Sequence, residues 1–508
     1  MSLAVLHSRA LLGIDAPAVT VEVHLANGLP AITLVGLADT EVKEARERVR
    51  AALQNSGLVY PHNKRITVSL APADLPKDSG RFDLPIALGI LAASGQIDPQ
   101  RLIGHEFAGE LSLAGELRPV RGALAMALAL QRGSPGRALV LPAGSAEEAA
   151  LVDGLRCLRA EHLLDVVRAM RHAGADAQAA DPLPPARPLS TSAGPSVPDL
   201  RDVRGQAAAK RALALAAAGG HSLLLVGPPG TGKSMLASRL PGLMPPLTER
   251  EALESAAILS LVGRFSASCW RQRVFRAPHH SASAAALVGG GAPPRPGEIS
   301  LAHAGILFLD ELPEYPRAAL EALREPLETG RITISRAMYQ TEFPARFQLV
   351  AAMNPCPCGQ HGSVSGRCRC TPEAIARYQG RLSGPLLDRI DLQVEVPPIA
   401  PATLAALPSG EPSAAVAARV AAARTRQFDR QQGLNCGLNG DALDQHCRLA
   451  APARDFLHGA ATRLAWSARS HHRVLRVARS AADLAGSDEI GIEHLAEAIQ
   501  YRRVLSGG

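Results

Sequence analysis

"HSLLLVGPPGTGKSMLASRL", residues 221 to 240, decides the fold. Its apolar run "SLLLV" reads as a buried strand, and a helical stretch follows the glycines until Pro241-Gly242. Between them lies the spacing G-x-x-x-x-G-K-S, made of Gly227, Pro228, Pro229, Gly230, Thr231, Gly232, Lys233 and Ser234. Glycine at these positions lets successive backbone N–H groups point into one concavity at the positive end of the helix, where phosphate oxygens are cradled. Lys233 is expected to reach the β- and γ-phosphates, and Ser234 to hold Mg²⁺. A Gly-rich turn with no ligand shares part of this pattern, but not the strand before it and the helix after it.

Two further strands end in residues suited to the same chemistry. "GILFLDEL" (305–312) is apolar until Asp310 and Glu311. Asp310 is the candidate to hold Mg²⁺ through a water, and Glu311 the candidate to polarise the attacking water. An acidic strand end alone is common; downstream of a phosphate loop it gains meaning. "FQLVAAMNP" (347–355) ends in Asn354, placed to orient that water. "LLDRID" (386–391) sets Arg389 between two acids, either as a local ion pair or as an arginine finger directed at a neighbouring subunit's γ-phosphate. In "SARSHHRVLRVARSAADLAG" (467–486), Arg469, Arg473, Arg476 and Arg479 recur at near-helical spacing. One of them is expected to close on the nucleotide from a lid, the others forming a solvated or nucleic-acid-facing stripe.

Directly after Asn354 comes "NPCPCGQHGSVSGRCRC" (354–370), which holds four of the chain's eight cysteines. Each Cys-x-Cys pair, Cys356/Cys358 and Cys368/Cys370, can point its thiols one way, and the Gly/Ser segment can bring the pairs together. Four thiolates would close a tetrahedral Zn²⁺ site, although the usual ribbon spacing is Cys-x₂-Cys. Reduced cysteines without metal and a disulfide are the alternatives, the disulfide disfavoured in a reducing compartment. His361 is a spare ligand candidate or a solvated loop residue. Cys157, Cys269, Cys436 and Cys447 are dispersed.

At 508 residues the chain exceeds one core. It is 47% hydrophobic and 20% charged, with a formal net charge of +7, which permits nucleic-acid contact without requiring it. No apolar run approaches the roughly 18–20 residues of a membrane helix. His7, Ser8 and Arg9 interrupt any signal-like segment, so a cytoplasmic location is expected. "AVTVEVHLA" (18–26) alternates as a half-buried strand, "TEVKEARERVRAALQNSG" reads as a helix, and "DLPIALGILAAS" as another with Asp83 its expected cap. Residues 1–172 are therefore read as an α/β domain, 173–198 as a Pro-rich linker, 199–397 as the α/β nucleotide core and 398–508 as a helical C-terminal domain.

Together these stretches resemble the magnesium-chelatase-like branch of AAA+ ATPases, and within it the ComM/YifB family. The resemblance rests on "DVRGQAAAKRALALAAAGGHSLLLVGPPGTGKS", "FRAPHHSASAAALVGGG", "PRPGEISLAHAGILFLDELPE", "ALREPLETGRITISRA", "FPARFQLVAAMNPCPCG" and "RLSGPLLDRIDLQVEVP", and covers nearly everything but the linker. It implies an ATP-hydrolysing hexameric ring in which Lys233, Ser234, Asp310, Glu311 and Asn354 match the Walker A, Walker B and first sensor positions. Arg389 matches the finger given in trans, Arg476 the second sensor ahead of Arg473 and Arg469, and "DVRGQ", with Val203 and Gly205, the adenine pocket. The central domain is then an AAA+ P-loop core with the Cys-rich loop 356–370, and residues 398–508 are its helical lid. The implied function is a DNA helicase or translocase that acts on single-stranded and branched DNA. It drives branch migration of recombination intermediates during integration of transforming DNA. The N-terminal domain resembles the Lon-protease fold, but Phe82 occupies the best match to the nucleophile position, with Ser79 nearby. A non-proteolytic role is expected.

The insertion 276–298 and the hairpin 330–343 lie between the ATPase motifs. Arg276, His279, His280 and Arg336 are candidates for contacts to DNA in a ring's pore, while a packed polar turn explains His279-His280 equally well. Ile332 and Ile334 are expected to face inward. A magnesium-chelatase motor subunit and a regulator related to ATP-dependent proteases are the competing functions.

Overall fold

A computed structural model of the chain describes residues 2–36, 40–77, 79–171, 182–189, 197–291, 293–336, 339–362, 366–464 and 466–502, without the side chains of residues 40–43, 336 and 339. It is a mixed α/β, multidomain structure.

In the N-terminal part, strands Leu3–Arg9, Ala18–Asn27, Ala31–Val35 and Lys64–Ala71 form one sheet in the order first, second, fourth, third. The alternation read from "AVTVEVHLA" holds: Val19, Val21, Val23 and Leu25 are buried. Helix Asp83–Ala93 is buried along its entire length and shares this core with Ala45, Val49, Ala52 and Leu53 of helix Thr40–Asn55. Asp83 is not the cap expected for it. Its carboxylate takes Arg48 Nε at 2.7 Å and Arg48 Nη2 at 3.1 Å, and accepts from the Leu111 N–H. Burial pushes its pKa up to about 6 against the pull of Arg48. Ser79 Oγ accepts from Arg81 Nε at 2.9 Å, and Phe82 is fully buried.

A second, parallel sheet joins His105–Phe107, Ala138–Pro142 and Cys157–Ala160. Part of the expected linker is fixed to it: Arg159 N donates to Pro184 O at 3.0 Å, Ala186 N to Cys157 O at 2.9 Å, and Leu183 is buried. The remainder, 173–181 and 190–196, lies outside the described residues.

The central sheet is five-stranded and parallel, in the order Phe275–Arg276, Ile306–Leu309, Gln348–Met353, Leu223–Val226, Leu392–Glu395. Side chains of successive residues in "LLLV" go to opposite faces, as strand geometry requires. Leu223 and Leu225 pack with helix Ala207–Gly219 and the C-terminal helices, whereas Leu224 and Val226 pack with the hairpin side. Both faces are covered, which is why the strands read as continuous apolar runs. In the hairpin Arg331–Arg336/Tyr339–Pro344, Ile332 and Ile334 do face inward.

The arginine-bearing C-terminal helix does not close over the phosphate loop of its own chain. Helix Ala468–Ala485 turns Val474, Leu475, Val477, Ala478 and Ala481 into the core formed with helix Ala207–Gly219. At its other contacts it meets the end of the sheet where the strands begin: Arg473 Nη1 pairs with Asp391 Oδ1 at 3.2 Å and Ser480 Oγ meets His221 Nε2 at 2.7 Å. Amphipathicity shows that such a helix docks, not onto which partner.

Candidate active site and cysteine cluster

Because the strands are parallel, their carboxyl ends lie together, and Gly227, Asp310 and Asn354 follow three of them directly. A cavity of about 350 Å³ is formed there by Gly230, Lys233, Ser234, Asp310, Glu311 and Asn354. Gly230 and Gly232 have φ of +77° and +90°, the left-handed backbone that turns loop N–H groups inward. Lys233 Nζ donates to Gly227 O at 2.7 Å, Pro228 O at 2.8 Å and Asn354 Oδ1 at 3.2 Å. Burial pulls its pKa down, opposed by Asp310 and Glu311. A nearly buried ammonium held by neutral oxygens suits a phosphate ligand.

Ser234 Oγ donates to Asp310 Oδ2 at 2.6 Å, so the two groups expected to serve Mg²⁺ already converge. Asp310 Oδ1 accepts from Glu311 N at 2.9 Å, and Glu311 adopts φ +52°. The two adjacent carboxylates engage different partners, Asp310 taking Ser234 and Glu311 facing His280. Beside the loop, a second cavity of about 550 Å³ is lined by Val203, Gln206, Thr231, Ile399, Pro401 and Leu404. A Cβ on Gly205, at φ +65°, would lie 2.6 Å from the tip of the Ile399 side chain. Val203 thus lines a cavity beside the phosphate loop, and Gly205 packs against Ile399 of its wall.

His280 Nδ1 lies 2.9 Å from Glu311 Oε2, and Tyr315 Oη donates to Pro278 O at 2.6 Å, fixing the loop that presents it. No spacing signal in the sequence links His280 to Glu311. His279 packs against His280 with ring centres 4.0 Å apart and planes tilted by 35°, and bonds Ser281 Oγ. Arg276 is engaged by both carboxylate oxygens of Glu298 at 2.7 Å. Arg276 and His280 each face a carboxylate of their own chain. Arg336 ends a hairpin strand, and its side chain lies outside the described residues.

The remaining arginines gather at the opposite end of the sheet. A cavity of about 420 Å³ is lined by Arg389, Arg469, Arg473 and Arg476 with Glu328 and Asp391. Ser222, also in its wall, stands five residues before Gly227, a span of roughly 16 Å along an extended strand. Arg389 pairs with Glu328 at 2.7 Å and donates to Pro385 O at 2.8 Å. The buried Nε atoms of Arg389 and Arg476 have no hydrogen-bond partner among the described residues. Arg476 therefore lies at the end of the sheet remote from the phosphate loop of its own chain. Arg479 is structural, pairing with Asp483 at 3.1 Å and donating to the Ser487 and Asp488 carbonyls.

Cys356, Cys358, Cys368 and Cys370 present sulfurs that all lie within 4.8 Å of one another. The separations are 3.4 Å for Cys356–Cys358, 3.8 Å for Cys356–Cys368 and 3.7 Å for Cys358–Cys368. A tetrahedral ion with Zn–S bonds of about 2.3 Å requires about 3.8 Å. The cluster therefore fits a zinc-sized ion, and the tight Cys-x-Cys spacing is no obstacle. His361 sends only its backbone N–H to Cys356 Sγ, at 3.3 Å.

Three family profiles match successive parts of the chain: subunit ChlI of Mg-chelatase over residues 21–145, magnesium chelatase subunit ChlI over 199–404, and the C-terminal part of that subunit over 410–502. End to end, the chain is similar to the uncharacterized protein YifB of Escherichia coli, with 51% identity over 508 residues, 99% of this chain and 98% of the relative. It is 50% identical to the competence protein ComM of Haemophilus influenzae over 512 residues, with the same shares. An uncharacterized protein of Mycobacterium bovis is 43% identical over 514 residues, 99% of each chain.

Proposed function

Since the chain belongs to the ComM/YifB family, we propose that it is an ATP-dependent DNA translocase. It works as a hexameric ring in the cytoplasm and promotes branch migration of recombination intermediates, including those of transforming DNA. The observation that carries the ATPase reading is the convergence of Lys233, Ser234, Asp310, Glu311 and Asn354 at the carboxyl ends of parallel strands. Lys233 binds phosphate, Asn354 positions both Lys233 and the water, and Glu311 accepts the proton of that water. Bound Mg²⁺, served by Ser234 and Asp310, would neutralise charge developing on the phosphate oxygens. His280 holds the Glu311 carboxylate until substrate is in place.

Arg389 and Arg476 complete the site of a neighbouring subunit. Their cavity lies at the far end of their own sheet, and both keep a buried N–H unused among the described residues. The N-terminal domain serves as a non-proteolytic scaffold, since the partner of Ser79 Oγ is a guanidinium and not a base. No helix among the described residues is long and apolar enough to cross a membrane.

Single-stranded or branched DNA should stimulate ATP hydrolysis, whereas porphyrin and unfolded protein should not. Because grip on the backbone releases counterions, the stimulation should decline as salt rises. Stimulation by porphyrin with Mg²⁺ instead would favour a chelatase motor, and stimulation by protein a protease-type regulator. Salt-insensitive stimulation by DNA would remove backbone contact from the account.

The cysteine cluster is proposed to hold one structural Zn²⁺. Metal analysis of protein purified under reducing conditions without added zinc should find about one Zn²⁺ per chain. Replacement of Cys356 and Cys358 by Ser should abolish it, and zinc-free wild-type protein would remove the site.

A further inference from the structure

We infer that the metallated cysteine loop is a positioning element of the ATP site, with Gly359 as its point of contact on the phosphate loop. The inference rests on the zinc reading above. One residue separates Asn354 from Cys356, so the first ligand and the water-orienting amide share a turn. Cys356 is fully buried, and the turn closes with Gly359 N donating to Cys356 O at 2.9 Å. From the other end, helix Pro372–Gln379 begins two residues after Cys370 and returns Gln379 Nε2 to Pro355 O at 3.1 Å. The loop thus leaves and rejoins the structure at the catalytic edge.

Gly359 has φ +75°, and a Cβ there would lie 2.6 Å from Pro229 Cδ and 3.7 Å from Asn354 Cγ. Backbone therefore rests directly on the proline ring of the phosphate loop. Pro229 and Asn354 are the two parts of the site on either side of Lys233, whose Nζ bonds Asn354. Of the described residues in 356–370, only Cys356 and Gly359 are buried. With no apolar core of its own, such a loop is held in shape by its ligands' common ion. Losing the ion frees Gly359 from Pro229 and loosens the turn that aims Asn354. Misplacement by about 1 Å in a phosphoryl-transfer site costs on the order of 100-fold in rate.

The test uses the full chain with Mg²⁺ in excess, following zinc content, affinity for a fluorescent ATP analogue, and hydrolysis. Stripping with a zinc-selective chelator, or the double variant Cys368→Ser/Cys370→Ser, should lower hydrolysis by about 10- to 100-fold. Zinc returned to stripped wild-type protein should restore it. Gly359→Ala should keep its zinc, yet lose rate and analogue affinity. Gly362→Ala separates contact from backbone strain: Gly362 has φ +74° with nothing within 4 Å of its Cβ position. It should hydrolyse ATP within about twofold of wild type. Zinc-free wild-type protein would overturn the metal reading and this inference together. Stoichiometric zinc whose removal leaves rate and affinity unchanged, or equal effects of Gly359→Ala and Gly362→Ala, would overturn the coupling alone.

Discussion

Glu311→Gln should bind ATP as tightly as the wild type and hydrolyse it about 100- to 10,000-fold more slowly, the range a general base contributes. The amide keeps the shape of the side chain but cannot take the proton of the attacking water. The left-handed turn at Glu311 and the Asp310 bond to its N–H do not depend on the carboxylate, so the Mg²⁺-binding side of the site survives. An ATP-bound assembly should accumulate and be visible by size and nucleotide content. Lys233→Ala should fail differently, because the ammonium shared among Gly227 O, Pro228 O and Asn354 Oδ1 is the group offered to phosphate. Nucleotide binding itself should weaken. Wild-type turnover by Glu311→Gln would remove Glu311 from the role of catalytic base.

Arg389→Ala should retain ATP and lose about 1,000-fold or more in hydrolysis, the scale of an arginine finger. Within one chain Arg389 faces Glu328 across the end of the sheet remote from the phosphate loop, so loss of its charge leaves the chain's own pocket intact. Mixing separates the two sites. A Lys233→Ala subunit offers an intact finger and a dead pocket; an Arg389→Ala subunit offers the reverse. Mixed assemblies should regain partial activity, each productive site combining the intact pocket of one with the intact finger of the other. Arg476→Ala should complement in the same way, because it lines the same cavity. Absence of complementation in assemblies shown to contain both chains would return these arginines to the ion-pair role that spacing alone also allows.

The N-terminal strand alternation, the phosphate loop, the two strands ending in Asp310-Glu311 and in Asn354, and the four-cysteine loop were all legible in the chain. Each is a local pattern: periodicity fixes a strand, glycines at set offsets fix a loop, and short spacing fixes which thiols can meet. Convergence of Lys233, Ser234, Asp310 and Asn354 was equally accessible, since parallel strands must deliver their carboxyl ends to one edge.

Other features are set by packing between distant segments, and no spacing encodes them. His280 lies 31 positions before Glu311 and reaches it because Tyr315 anchors Pro278. Asp83 reads as a helix cap until Arg48, from another helix, claims its carboxylate. The same limit governs Arg476 and Gly359. The periodicity of helix Ala468–Ala485 determines that one face is buried, but burial is non-directional, and only docking on Ala207–Gly219 decides that its arginines gather at the far end of the sheet. Gly359 reads as one more flexible residue in a glycine-rich loop; only the tertiary structure, by setting Pro229 against it, turns the missing side chain into a contact.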